Sequence, residues 1–295
     1  MNISSAKCTL AIDAGGTSIK VALVTDSIVS FAELPVDSSA EEKDIEDTFH
    51  EVMCCGIDLA SRARLHIAAV GLCIPGPFDF IQGIFLMKHK YASMYGKSLR
   101  NIIASHLPDT PIRFMHDSHA FLLGEIQSSR YDYMQTICAV TIGTGLGFAF
   151  MQKGTLLTNE QGGPYISIFR RPYEKATAEE YLSKRGIMAL YHELGGEGCQ
   201  SVKEIDICAN KGDAVCREVF ARTGAHAARI LAPIIREYSI EGVILGGQIA
   251  KADHLLVVPL RETLYLLGID CFVTKGQTID DAPLLGVSQS LWEKN

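Results

Sequence analysis

Unbroken apolar runs alternate with amphipathic stretches along the chain. Leu10-Ala11-Ile12 leads into Asp13-Ala14-Gly15-Gly16-Thr17, and Ile19 to Val24 alternates back. This predicts strand, turn, strand, with a third strand by residue 33. The period then changes. Ile45, Phe49, Val52 and Gly56-Ile57 recur at helical spacing over about 40–63, behind a Ser39/Glu42 capping box. Ile67 to Ile74 is apolar throughout and runs into the rigid loop Pro75-Gly76-Pro77. A helix near 96–106 and a strand from Pro111 to Met115 follow. The first 115 residues therefore read β-β-β-α-β-α-β.

The second half opens on the same plan. Tyr133 to Gln152 carries no charge over 20 residues, the length of a membrane span. Gly143, Gly145 and Gly147 stand at every second position, which costs a helix heavily, and the β-branched residues around them favour strands. The segment reads as a hairpin with a Gly-rich turn. A helix is predicted near Thr177, with a capping box to Glu180. A long amphipathic helix is predicted over about 213–237, kinked or cut short at Pro233. Gly242 to Leu245 is a strand ending at Gly246-Gly247, and a last helix is expected over 283–293. Strand, Gly/Thr turn and returning strand thus open both halves, a weak internal duplication. A cleft between two such lobes is a natural ligand site.

Charge narrows the function. The 295 residues hold 34 Asp+Glu against 27 Lys+Arg, a net charge of −7. That argues against a nucleic-acid groove, which needs clustered cations. Nine cysteines, at 8, 54, 55, 73, 138, 199, 208, 216 and 271, include no CxxC spacing. They read as thiols of a reducing compartment. The first ten residues lack the apolar core of a signal peptide. The expectation is a soluble cytoplasmic protein without membrane or nucleic-acid partners.

Four segments carry candidate chemistry. Asp13-Ala-Gly-Gly-Thr17 with Lys20 can turn backbone N–H groups and a hydroxyl toward an anion, and Asp13 could orient Mg²⁺ through water. The alternative is a hairpin turn that happens to be glycine-rich. Thr141-Ile-Gly-Thr-Gly-Leu-Gly147 repeats the device, though many β-turns hold such glycines. It leads into a strand, which excludes a Rossmann fingerprint, and no Gly-Lys-Ser/Thr follows, which excludes a Walker A loop. Gly246-Gly247-Gln248 closes a strand before a helix, and taken alone it reads as a plain strand-end turn. His116-Asp117 stands between a strand and the helix begun by Ala120 to Glu125. Asp117 can take a proton from a substrate hydroxyl or cap that helix.

Together these segments resemble the ROK family (repressors, open reading frames and kinases), over nearly the whole chain from Asp13 to Leu285. Asp13 to Thr17 with Lys20 is similar to its first phosphate motif, and Ile142 to Gly147 to its second. Gly71-Leu-Cys-Ile-Pro-Gly-Pro77 is similar to its GxPGP loop, and Gly246-Gly247 to its adenosine-side turn. Ala282-Pro-Leu-Leu-Gly286 is similar to the segment that returns to the first lobe. Asp117, followed by Gly124-Glu125, falls where the family keeps its catalytic Asp. The resemblance implies an α/β, two-lobed, actin-like ATPase (ribonuclease H-like) fold with its ligand cleft between lobes. It implies an N-terminal lobe over 1–117 and a C-terminal lobe over 118–295, with about 280–295 returning to the first. It implies ATP with Mg²⁺, a sugar or amino-sugar acceptor, and a homodimer.

By that resemblance Asp117 is the general base. Asp13, Gly15, Gly16, Thr17, Lys20, Gly143, Thr144, Gly145, Gly246 and Gly247 serve ATP, with Asp13 toward Mg²⁺. Pro75, Gly76, His116, Asp117 and Glu160 face the acceptor. The departures lie on the acceptor side. His116 stands where the family has Asn. Glu160-Gln-Gly-Gly-Pro-Tyr-Ile-Ser167 lacks the family's zinc-binding His, and Ile168 to Glu180 contains no Cys. Lys88-His89-Lys90-Tyr91 occupies the region of another family Asn. Zinc needs four ligands in a structural site, so no zinc is expected, and His192, Cys199 and Cys208 are not expected to converge. The leading reading is an ATP-dependent carbohydrate kinase. The alternative is a weakly active or inactive sugar-binding sensor. A repressor would need a winged helix-turn-helix, for which too few residues precede Asp13.

Overall fold

The structure, a computed structural model, describes residues 6–127, 129–131 and 133–292. The chain forms two compact units. The first comprises Met1–Gln127, Thr158–Gly163 and Asp281–Asn295, and the second Ser128–Leu157 and Pro164–Asp280.

The first unit is built on β1 (Lys7–Ala14), β2 (Ser18–Val24), β3 (Ile28–Pro35), α1 (Glu42–Ala63) and β4 (His66–Ile74). A small hairpin, β5 (Phe78–Asp79) and β6 (Ile84–Phe85), precedes α2 (Leu99–His106), β7 (Ile112–His116) and α3 (Asp117–Ile126). Its five-stranded sheet has the order β3-β2-β1-β4-β7. β1 and β2 are antiparallel, whereas β1, β4 and β7 run parallel. The central strands β1 and β4 are buried along nearly their whole length, as their continuous apolar runs require. β3 alternates between exposed and half-buried positions at the sheet edge. α1 buries Ile45, Phe49, Val52, Met53 and Ala60, one helical face.

The helix Ala282–Gln289 packs on α3 within this unit, closely enough that glycine is required on both sides. A Cβ on Gly124 would lie 2.0 Å from the Ala282 carbonyl oxygen, and one on Gly286 would lie 1.9 Å from that of Ala120.

The second unit repeats the topology with β8 (Thr136–Ile142), β9 (Leu146–Gln152) and β10 (Thr155–Leu156). A hairpin of β11 (Pro172–Tyr173) and β12 (Ala176–Thr177) leads to α4 (Ala178–Tyr181), α5 (Lys184–Glu193), α6 (Val202–Asn210) and α7 (Ala214–Tyr238). β13 (Gly242–Gly246), α8 (His254–Leu266) and β14 (Phe272–Lys275) complete it. The sheet order β10-β9-β8-β13-β14 matches the first sheet position for position, so the duplication read from the sequence is a duplication of topology.

Three local expectations are corrected. Ser39 does not cap α1; its amide and hydroxyl both donate to Asp37 Oδ1, and the helix begins after Glu41. α7 is not cut short at Pro233 but continues to Tyr238, its face held by buried Ile230, Leu231, Ile234 and Ile235. The last helix ends at Gln289, short of the predicted 293, a residue outside those described. Among the described residues no helix is long and apolar enough to cross a membrane.

Candidate active site

In the first unit the chemistry gathers at the carboxyl ends of the parallel strands. Register places Asp13 of β1 beside Lys20 of β2 and Cys73 of β4, and Ile74 beside His116 of β7. Such strand ends are where open α/β sheets bind ligands. The β1–β2 turn is closed by Gly15 N donating to Ser18 O at 3.0 Å. The chain after β3 braces it, with Val36 N donating to Thr17 O at 3.1 Å and Ser38 N to Gly16 O at 3.3 Å. Thr17 is exposed at its tip.

Asp117 is the first residue of α3. Its Oδ1 accepts from Ser118 N at 2.6 Å and lies 2.8 Å from His116 Nδ1. The same Nδ1 lies 2.8 Å from Ser118 Oγ and 3.3 Å from Ser118 N, so imidazole, hydroxyl and carboxylate form one cluster at the start of α3. Partial burial works to raise the Asp117 pKa, but His116, the Ser118 amide and the Lys90 charge together bring it below the usual carboxylate value. With 43% of its side chain exposed, Asp117 is an ionised carboxylate within reach of a ligand. Asp13 shows the opposite balance. Burial first, then the Asp117 charge, push it up to about 6 against the pull of Lys20. A cation bound beside Asp13 would favour its charged form.

Gly76 of the Pro-Gly-Pro loop faces His116; a Cβ there would lie 3.5 Å from His116 Nε2. The Phe80 ring packs edge-on against His116 at 5.8 Å. Phe80 also carries the segment with Glu160: its amide donates to Gln161 O at 2.9 Å, and Gly162 and Gly163 lie on its side chain. Asn159 shapes that segment, its Oδ1 accepting from Gln161 N at 2.9 Å and Gly163 N at 3.0 Å. Glu160 itself is exposed.

Sequence reasoning missed Lys90 and Tyr91. Tyr91 is fully buried, and its hydroxyl donates a short hydrogen bond to Gly15 O. Lys90 runs past the turn, so that a Cβ on Gly16 would lie 3.6 Å from its Cε. The Lys88-His89-Lys90-Tyr91 segment therefore links the first glycine turn to Asp117.

In the second unit, Gly143 to Gly145 join β8 to β9, with Gly143 N donating to Gly145 O at 3.0 Å. Lys184 N, at the start of α5, donates to Gly143 O at 2.8 Å. Glu179 Oε2 accepts from Leu146 N at 3.1 Å beneath the turn, a contact no sequence motif signals. A Cβ on Gly143 would meet nothing within 4 Å. Gly247 has φ +78, and its Cβ position would lie 2.4 Å from Ile142 O. The Gly246-Gly247 turn therefore lies directly against the strand end that carries Gly143, Thr144 and Gly145. Each unit gathers its own share of the predicted residues.

The expectation that Cys199 and Cys208 do not converge is corrected. The Sγ atoms of Cys199, Cys208 and Cys216 all lie within 4.8 Å of one another. The sequence spacing has no motif, because two different helices and a loop supply them.

The sequence model of the ROK family matches residues 9–165 and 172–294. A glucokinase of Thermotoga maritima is 24% identical, with 97% of each chain covered. An N-acetylmannosamine kinase of Escherichia coli is 26% identical over 85% of this chain and 86% of its own. The crystal structure of a ROK family glucokinase from Streptomyces griseus, in complex with glucose and AMPPNP, superposes with a TM-score of 0.80 at 20% identity, covering 96% of this chain and 98% of that one. That last likeness is one of fold.

Proposed function

The chain belongs to the ROK family, with its α/β actin-like ATPase fold and its sugar-kinase relatives, and from that premise we propose that it is an ATP-dependent sugar kinase. The observation that carries the reading is the state of Asp117. It is ionised, oriented by His116, reachable from solvent, and set among Asp13, Lys90 and the Gly15–Thr17 turn.

In this reading the acceptor hydroxyl sits against Asp117, which takes its proton as the γ-phosphoryl group transfers in line. His116 holds the carboxylate in position and presents its other edge, beside Gly76, to the acceptor. The turns at Gly15–Thr17 and Gly143–Gly145 offer backbone N–H groups to phosphate oxygens, and Gly246-Gly247 borders the nucleoside. Lys20 and Lys90 supply positive charge where phosphate charge is handled. Mg²⁺, when bound, neutralises phosphate charge, and Asp13 is the carboxylate suited to orient it through water. Glu160 and the loop on Phe80 border the acceptor.

The test is ATP turnover against a panel of hexoses and amino sugars, including glucose and N-acetylmannosamine, with Asp117→Asn as control. Turnover with one acceptor, lost in the control, supports the kinase. The rewritten acceptor segment from Glu160 to Ser167 favours a second reading, a sugar-binding sensor without turnover. Sugar binding by calorimetry with no ADP formed from any acceptor would select it.

A further inference from the structure

We propose that Cys199, Cys208 and Cys216 bind one thiophilic divalent cation of the Zn²⁺ type. The site lies wholly in the second unit, apart from the segment Ile168 to Glu180, and is independent of the kinase reading.

Cys199 sits in the loop before α6, Cys208 in the last turn of α6, and Cys216 in the first turn of α7. Cys199 Sγ and Cys208 Sγ are 3.8 Å apart. Two thiolates on a tetrahedral zinc, each at about 2.3 Å, stand about 3.8 Å apart. One edge of the coordination shell therefore already has its metal-bound length. With all three sulfurs within 4.8 Å, closing the other edges needs a shift of no more than about 1 Å.

The sulfurs are positioned by bonds that do not use them. Cys199 N donates to the Tyr191 hydroxyl at 3.4 Å, and that hydroxyl donates to Glu197 O at 2.5 Å. Ser201 caps α6 by accepting from Glu204 N at 3.2 Å, and Asp213 caps α7 by accepting from Cys216 N at 2.8 Å. Between the helices, Lys211 N and Asp213 N donate to Cys208 O at 3.0 and 3.1 Å. Arg217 Nε donates to Ala209 O at 2.9 Å. Cys199 and Cys216 are buried while Cys208 is half-buried, so a cation reaches the sulfurs past Cys208, where a water supplies the fourth ligand.

Uptake is an exchange. Three S–H protons pass to the buffer and three sulfur–metal bonds form, with no change in oxidation state, so affinity rises with pH. Soft thiolates discriminate against Mg²⁺, which takes oxygen ligands, so this ion does not compete with the one that accompanies ATP.

The experiment is a Co²⁺ titration of the reduced full-length protein without oxygen, followed by Zn²⁺ competition. The expected result is one Co²⁺ per chain, a near-ultraviolet thiolate-to-cobalt charge-transfer band, and its loss on adding one equivalent of Zn²⁺. Cys208→Ser, at the rim, should fold normally and bind at least about 100-fold more weakly, since losing even an outer partner of a metal costs 10- to 100-fold. Cys54→Ser, on α1 of the first unit, should bind like wild type. Absence of the band in wild type, or binding unaffected by Cys208→Ser, would overturn the proposal. So would a Cys199–Cys208 disulfide that forms readily in a protein that never takes up metal.

Discussion

Asp117 raises the pKa of Asp13: its negative charge adds to the effect of burial, and together they outweigh the pull of Lys20 on the Asp13 carboxyl. With a folded pKa of about 6 against an ordinary 3.8, Asp13 binds its proton more tightly in the folded state. Its contribution to stability is therefore present at low pH and is lost as pH rises through about 6. Asp13→Asn removes that liability. Its Tm should exceed wild type at pH 8, by about 2–4 °C for each kcal/mol relieved, and the difference should shrink below pH 4. Thermal melts across pH 4–8 without nucleotide check this, and a Tm difference independent of pH would contradict it.

Asp117→Asn tests the base. The amide keeps an oxygen for the Ser118 N–H, so the start of α3 and the melting temperature should change little. Loss of a positioned general base costs on the order of 10²–10⁴-fold in rate. The expected result is a kcat reduced by that factor with ATP affinity nearly intact, measured by single turnover and nucleotide titration. A rate within a few-fold of wild type would leave Asp117 a structural residue at a helix start.

His116→Asn restores the amide that the family's pattern has before its catalytic Asp. Imidazole is one of the groups that hold Asp117 in its ionised form, and its Nε2 edge faces Gly76. A site that pairs a particular hydroxyl discriminates strongly, because a mismatched ligand leaves buried groups unpaired. The variant should change the ranking of acceptors, or their KM, while the KM for ATP barely moves. An unchanged acceptor profile would reduce His116 to packing against Phe80.

The five strands of the first sheet, β8, β9 and β13 of the second, and both glycine turns were legible in the sequence, because apolar runs, period-two alternation and Gly/Thr turns are local signals, whereas the edge strands β10 and β14 were not read. The strand order was legible only as duplication, β1-turn-β2 repeated as β8-turn-β9. What escaped depends on long-range packing. Tyr91 sits at φ +50, outside any periodic element, and meets Gly15 across 76 residues of sequence. Lys90 follows it there. Glu179 reaches the second turn through a short helix whose own pattern points to its capping box. The three thiols of α6, α7 and the loop before α6 are invisible to motif reading for the same reason. Ser39 shows local competition, since Asp37 offers it an acceptor two residues away and the capping box does not form.

Gly286→Ala and Gly143→Ala should separate packing from ligand binding. A methyl on Gly286 would strike the Ala120 carbonyl and the Gly124 amide, rigid backbone on a facing helix. Overpacking of this kind costs about 1–3 kcal/mol or more, so Tm should fall clearly. A methyl on Gly143 meets nothing, so its Tm should stay at the wild-type value. If phosphate approaches that turn, the KM for ATP should nevertheless rise. Equal Tm losses in the two variants would contradict the packing argument, and an unchanged KM in Gly143→Ala would remove that turn from the nucleotide site.

Lys90 offers the sharpest test of the acceptor side. Its stem lies along Gly16 and its charge lowers the Asp117 pKa, so under the proposed kinase reading it stands where the phosphoryl group would pass between turn and base. Lys90→Met keeps length and apolar contact and removes only the charge. Loss of one preorganised electrostatic partner of a transition state costs about 10²–10³-fold, so kcat should fall by roughly that factor. The same change takes away one of the influences that keep Asp117 ionised, so the acid limb of the kcat/KM profile should move to higher pH. Lys90→Arg, which restores the charge, should return the limb toward its wild-type position even if the rate recovers only in part. A merely solvated lysine would leave both the rate and the limb where they were, and that outcome would remove Lys90 from the chemistry.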